Sequence, residues 1–204
     1  MLLFVFTFIF IFLSPIIPDK WSVLANNLLF SVLFFTGIYA LEKVRKRIIY
    51  FAMIAFITQW ISLIFNLNEF LVVSEVINII FFQLIIIRLI IQVAKSKEVN
   101  TDVIFESING YLLMGIMFAS WIAILINFRP YAFNGIDSAT LKFPDIFYFT
   151  FVTLTTLGYG DITPAIPIAK SLSILISTSG QLYIAIIIAM LVGKFAASQQ
   201  NAEK

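Results

Sequence analysis

The sequence predicts an all-α integral membrane protein, and three observations carry that prediction. Of 204 residues, 61% are hydrophobic and only 12% are charged, where a soluble domain would carry about 25% charged residues. Six apolar segments approach the roughly 20 residues that cross a bilayer as a helix. A seventh is too short to cross and runs into a Gly-Tyr-Gly string, the pattern of a re-entrant helix. The same composition excludes most chemistry: with Cys 0 and His 0 there is no disulfide, no thiolate nucleophile and no neutral-pH imidazole base. No cofactor is expected, and a net charge of +2 gives no footprint for nucleic acid.

The segments run Leu2 to Ile17, Trp21 to Leu41, Ile48 to Leu67, Phe70 to Ala94, Leu112 to Phe128 and Ile168 to Phe195. The first is short and ends at Pro15 and Pro18. No basic residue precedes it and no small-residue cleavage site follows it, so it reads as a retained helix rather than a signal peptide. Lys43, Arg45, Lys46 and Arg47 crowd the connection between the second and third segments, whereas Asn66 to Glu69 carries no basic residue. The positive-inside bias makes the first of these connections cytoplasmic. Alternation then puts both termini, Lys95 and Lys97 inside and the connection from Phe128 to Pro144 outside; Lys194 and Lys204 agree. A tail of nine residues after Phe195, and no extension before the first segment, lead us to expect no soluble domain.

The domain reading is a four-helix, sensor-like block over 1–94, a cytoplasmic interfacial linker helix over 95–109, a pore domain over 110–196 and a short cytoplasmic tail over 197–204. On a helical wheel Ile104, Phe105 and Ile108 share one side of the linker and Asp102, Glu106 and Asn109 the other, which suits a helix at the membrane surface. The same residues also suit the first turns of the fifth span. The fourth segment carries only Glu75 and Arg88. That is no charge ladder: one charge crossing the whole field gains about 2.3 kcal/mol per 100 mV. Arg88, seven residues from Lys95, is read as reaching the inner interface, and Glu75 the outer one. Asn26, Asn27, Gln59, Asn78 and Gln83 are candidates for tying the block together.

Pro144 to Thr156 reads as a short helix, since Pro is tolerated in the first turn and Asp145 suits its positive end. It leads into Thr155-Thr156-Leu157-Gly158-Tyr159-Gly160-Asp161. Non-helical backbone at membrane depth survives only where protein or a watery cavity meets it. Glycine permits backbone angles that turn successive carbonyls to one side, and a ring of carbonyls can replace the water shell of a cation.

This string resembles the selectivity-filter signature of tetrameric pore-loop potassium channels, and in particular a bacterial six-span type with voltage-gated-like topology and no charged sensor helix. The resemblance covers about Phe105 to Phe195 and includes the strings Glu106 to Tyr111 and Gly180 to Tyr183. It implies a homotetramer in the bacterial inner membrane that contacts lipid, with six spans, a re-entrant pore helix and potassium as the permeant ion. It implies ion sites at the filter residues Thr156, Leu157, Gly158, Tyr159 and Gly160, with potassium on the carbonyls of the first four. Tyr148, Phe149, Thr155 and Asp161 would support the filter, Tyr148 by reaching Asp161 with its hydroxyl. Val152 stands where some relatives have an acid. Gly180 matches a hinge of the inner helix and Gln181 a cavity-facing position. Ile184, Ile188 and Val192, at helical spacing, would either ring the axis as an apolar gate or face lipid or the outer helix.

Three other classes share features with this sequence. A non-selective cation channel would use the same loop. A potassium-uptake transporter would carry four such loops in one chain, and here there is one, which calls for four chains. Gly158-Tyr159-Gly160-Asp161 also fits the GxGD string of intramembrane aspartyl proteases. That chemistry needs a second aspartate, and Asp19, Asp102, Asp137 and Asp145 all fall at segment ends or in connections. The expectation is therefore no enzyme.

Overall fold

The computed structural model describes residues 1–41, 46–65, 68–96, 99–136 and 143–202. Lys43, Arg45, Lys97, Asp137 and Lys204, and the side chains of Asp19, Arg47, Glu69 and Glu75, on which parts of the orientation, sensor and protease readings rest, lie outside the described residues. Seven helices dominate: α1 (Leu2–Leu13, continued by a 3-10 turn over Ser14–Ile16), α2 (Asp19–Tyr39), α3 (Lys46–Phe65), α4 (Asn68–Lys95), α5 (Thr101–Phe128), α6 (Phe143–Leu154) and α7 (Pro167–Ala202).

Among the described residues, four helices contain stretches long and apolar enough to cross a membrane: Ile48–Phe65, Val76–Lys95, Thr101–Phe128 and Pro167–Ala196. The protein is an integral membrane protein. The first predicted span is helical over Leu2–Ile16 and its α-helical part, 12 residues, rises only about 18 Å, whereas α2 has 21 residues. Pro15 limits α1, because its missing N–H ends the α-helical ladder and leaves a 3-10 turn.

The sequence reading of a linker helix over 95–109 gives way to its alternative. Thr101 to Asn109 are the first turns of α5, a single helix of 28 residues. Asn100 explains the boundary: its side chain accepts the Val103 N–H at 3.0 Å and caps the helix there. Only residues 96–100 separate α4 from α5, and these two helices form the most extensive contact in the molecule. Helices α1 and α4 therefore pack on α5. On the α1 side, Phe10 is fully buried against Phe143 and Phe147 of α6, with ring centroids at 6.4 and 5.4 Å.

Within the block, polar pairs join helices that are otherwise held by apolar packing. Gln59 Nε2 donates to Asn27 Oδ1 at 2.8 Å, Trp60 Nε1 donates to Ser31 Oγ at 3.0 Å, and Ser14 Oγ donates to Asn26 Oδ1 at 2.6 Å. Asn78 is buried, whereas Gln83 is exposed.

The all-helical reading misses one small element. Strand β1 (Phe133–Asn134) pairs antiparallel with β2 (Thr163–Pro164), and the Ala165 N–H extends the ladder to Ala132 O at 2.8 Å. Two-residue strands leave no periodicity to read. Their effect is local and important, since they pin the segment around Thr163 to the chain that leaves the carboxyl end of α5.

Candidate pore and filter

Helix α6 ends at Leu154, two residues before the predicted end. The cause is Thr156, which has φ +60°, the only non-glycine residue with positive φ among the described residues. Gly158 and Gly160 follow with φ +55° and +82°. Left-handed backbone thus recurs at every second residue from Thr156 to Gly160. Such alternation turns successive carbonyls to the same side of the chain, which an ordinary strand cannot do. For Thr156 the left-handed region costs roughly 1–2 kcal/mol, strain of the kind that functional segments hold in place.

The amides show which side is which. The N–H groups of Leu157 and Gly158 both donate to Val152 O, at 3.0 and 3.2 Å, and the Thr156 N–H donates to Thr153 O at 3.0 Å. The last carbonyls of a helix have no partner within it, and here those of α6 hold the filter amides. The amides of Thr156, Leu157 and Gly158 are thus tied to α6. The carboxyl end of α6 also carries partial negative charge beside the entrance at Thr155 and Thr156, which favours a cation. Val152, a position of doubtful value in the sequence reading, contributes through its backbone.

The supporting residues divide. Tyr148 Oη donates to Asp161 Oδ2 at 2.7 Å, and its ring stacks on Tyr159 with centroids 6.5 Å apart and planes 8° apart. That hydrogen bond holds the Asp161 carboxyl below the usual carboxylate range. Phe149, by contrast, is buried, with its ring 4.9 Å from that of Phe133 of β1. Thr155 Oγ1 donates back to Phe151 O at 2.7 Å and closes the helix end.

Helices α5 and α7 grip the same point. Tyr111 Oη of α5 donates to Leu154 O at 3.3 Å. A Cβ on Gly180 of α7 would stand 2.1 Å from that oxygen. The glycine read as a hinge thus has a packing reason to be glycine. Further inward, Tyr183 Oη donates to Ser107 O at 2.6 Å. Tyr111, Ser107 and Val152 are contributions that sequence reasoning missed, and only the close sequence match over Glu106 to Tyr111 hinted at the first two.

Gln181 Nε2 donates to Thr156 Oγ1 at 3.2 Å, so the structure brings Gln181 to the first left-handed residue of the loop. Ile176, Tyr183 and Ile187 of α7 are buried against the rest of the chain. Ile184, Ile188 and Val192 are 39%, 55% and 62% exposed, which places them on a face of α7 turned away from α5. Residues 155–161 are all exposed as well, including 56% of Leu157 and 66% of Tyr159. One chain leaves the whole filter uncovered.

The site thus consists of a short helix, a left-handed alternating loop tied to its end and two flanking helices. Comparison with known proteins shows what this part of the chain is similar to. Residues 111–197 match the family described as "Ion channel". Over 110 residues the chain is 36% identical to Two-pore potassium channel 4 of Arabidopsis thaliana, covering 54% of this chain and 36% of that protein. Over 101 residues it is 37% identical to the A-type voltage-gated potassium channel KCND3 of Rattus norvegicus, covering 47% of this chain and 15% of that one. A rice protein, Two pore potassium channel c, is 43% identical over 65 residues, 32% of this chain and 13% of its own. The match to the ion channel family thus lies over residues 111–197, and the relatives it resembles there are potassium channels. The chain spans about a third of the length of the first of these relatives and less of the others. The family is one of channels and not of enzymes, which removes the protease alternative.

Proposed function

We propose that four copies of this chain surround one axis and form a potassium-selective channel, through which ions move passively down their gradient. The observation that carries this reading is the left-handed alternation at Thr156, Gly158 and Gly160, with the amides of Leu157 and Gly158 tied to Val152. Carbonyls of Thr156, Leu157, Gly158 and Tyr159 would then line successive potassium sites, with the Thr156 hydroxyl completing the innermost. The exposed run from Thr155 to Asp161 supports assembly, because uncovered backbone at membrane depth needs protein around it.

The remaining parts follow from this arrangement. Tyr148 and Asp161 clamp the outer end of the filter to α6. Gln181 supplies a polar ring just below the entrance. Ile184, Ile188 and Val192 form stacked apolar rings that close the inner pathway by dewetting, and Gly180 is the point from which α7 moves. The chain crosses the bacterial inner membrane with both termini in the cytoplasm, and α1 with α2 completes a six-span topology.

The test is purified protein in a planar bilayer with potassium on one side and sodium on the other. A reversal potential that follows the potassium gradient supports the reading; one that follows total monovalent cation makes this a non-selective channel. In the same recordings Ile188→Asn raises resting current without changing selectivity. Unchanged open probability would move the gate to the filter.

A further inference from the structure

We propose that Lys194 is a latch: its ammonium group holds the inner end of α7 on the carboxyl end of α4, Tyr183 is the pivot above it, and the inner pathway opens only when Lys194 lets go. The tie between the two helices stands on its own geometry, whereas its effect on current rests on the channel reading above. The last carbonyls of a helix have no N–H partner within it and carry partial negative charge. Lys194 Nζ donates to two of them at the end of α4, Val93 O and Ala94 O, the second at 3.0 Å. A third bond goes to Ser96 Oγ at 2.9 Å. An ammonium has three N–H groups, and here three oxygens stand around it. Ser96 is itself anchored, donating to Val93 O at 2.9 Å.

The tie lies on the face of α7 that meets its own chain. Tyr183, Ile187 and Lys194 follow one another at helical spacing and share one side of the helix. Tyr183 and Ile187 are buried, whereas Ile184, Ile188 and Val192 are exposed on another side. Tyr183 Oη donates to Ser107 O at 2.6 Å and fits where α5 has a glycine, since a Cβ on Gly110 would stand 2.1 Å from that hydroxyl. One face of α7 is therefore gripped twice, above by α5 and below by α4, and the residues read as the apolar gate lie between the two grips.

Leverage separates the pivot from the latch. Helix α7 is continuous from Pro167 to Ala202, so the arrangement described is the one before any break at Gly180. At about 1.5 Å per residue, Tyr183 lies roughly 4–5 Å beyond Gly180 and Lys194 about 21 Å, so a bend of about 10° moves the first by roughly 1 Å and the second by roughly 4 Å. A side-chain hydrogen bond tolerates the smaller displacement and fails at the larger one. Motion of α7 at Gly180 thus leaves Tyr183 on α5 and requires Lys194 to leave α4. A lysine that only snorkels to the membrane surface would make no such demand, and its removal would leave α7 in place.

The sequence contains no cysteine, so spin labels attach only where one is introduced. Thr101→Cys at the start of α5 and Ala196→Cys near the inner end of α7, both exposed positions, are placed together in the full chain. Labelled chains are diluted with unlabelled ones, so that double electron–electron resonance reads the distance within one chain. We expect a narrow distribution with Lys194 in place. Lys194→Met broadens it and moves its mean by roughly 4 Å, and Lys194→Arg, which keeps the cation, restores it. In bilayers Lys194→Met raises the ratio of open to closed time at rest by roughly tenfold without moving the reversal potential, and Lys194→Arg stays close to the parent. A distribution that is the same with Lys194 and with Lys194→Met overturns the proposal. So does a shifted distance in a conducting protein whose open probability is unchanged. A shifted distance in a protein that conducts nothing supports the tie and fails the channel reading instead.

Discussion

Gly160 and Gly37 sit in the two halves of one apolar chain, and they differ in what they ask of the backbone. Gly160 has φ +82° and occupies a loop whose every second residue is left-handed. Gly37 lies within α2, where an added Cβ would meet Ile85 at an ordinary 3.8 Å. In the pore module residue identity is set by backbone geometry and by close approach of main chains. In the four-helix block it is set by hydrophobic filling, with a few polar pairs such as Gln59 and Asn27 for register. The first kind of constraint leaves motifs in a sequence; the second leaves only composition.

The largest expected effect breaks the comparison at its sharpest point. Gly160→Ala forces a side chain into the left-handed region at a cost of roughly 1–2 kcal/mol per chain, and conduction in bilayers is lost. Gly37→Ala does the reverse, raising thermal stability by about 0.5–1 kcal/mol with no effect on current. Gly180→Ala tests whether close approach matters as much as φ. Its Cβ would meet Leu154 O at 2.1 Å, and we expect overpacking of roughly 1–3 kcal/mol, seen as a lower melting temperature and less assembled protein.

This division explains what could be read in advance. The filter string, the short helix before it and the flanking helices were legible because glycine, proline and the Thr-Thr pair stand where the backbone requires them. The hydrogen bond from Tyr148 to Asp161 was legible from side-chain chemistry. The strand pair of Phe133 with Pro164 was not, because two residues carry no period. Nor was the ring contact of Phe149 with Phe133 of β1. The linker over 95–109 was ambiguous for a physical reason: the same amphipathic stripe serves a surface helix and the first turns of α5, and the cap at Asn100 decides between them.

A smaller effect sharpens the account of the filter's outer end. Tyr148→Phe keeps the ring stack on Tyr159 and removes the hydrogen bond to Asp161, so potassium current persists but decays faster during sustained opening. The parent's clamp has a pH dependence of definite sign. Because the folded-state pKa of Asp161 is depressed, its contribution is complete above the usual carboxylate value of about 3.9. It is lost only as pH falls through the depressed value. Acidification through that window should therefore speed current decay in the parent and leave Tyr148→Phe unchanged. The smallest effect belongs to the block: Arg88→Gln alters the slope of any conductance–voltage curve little. A steep parent curve that flattens in this variant would restore α4 to the role of sensor.

The most direct measurement is to locate the ions. Diffraction or electron microscopy of the assembled protein in thallium or rubidium should show a four-fold axis with a column of density beside the carbonyls from Thr156 to Tyr159. Substitution by sodium should empty or rearrange that column. An assembly without a four-fold axis, or an axis on which residues 156–160 hold no ion, would contradict the claim that the backbone of this segment, in four copies, makes the potassium sites.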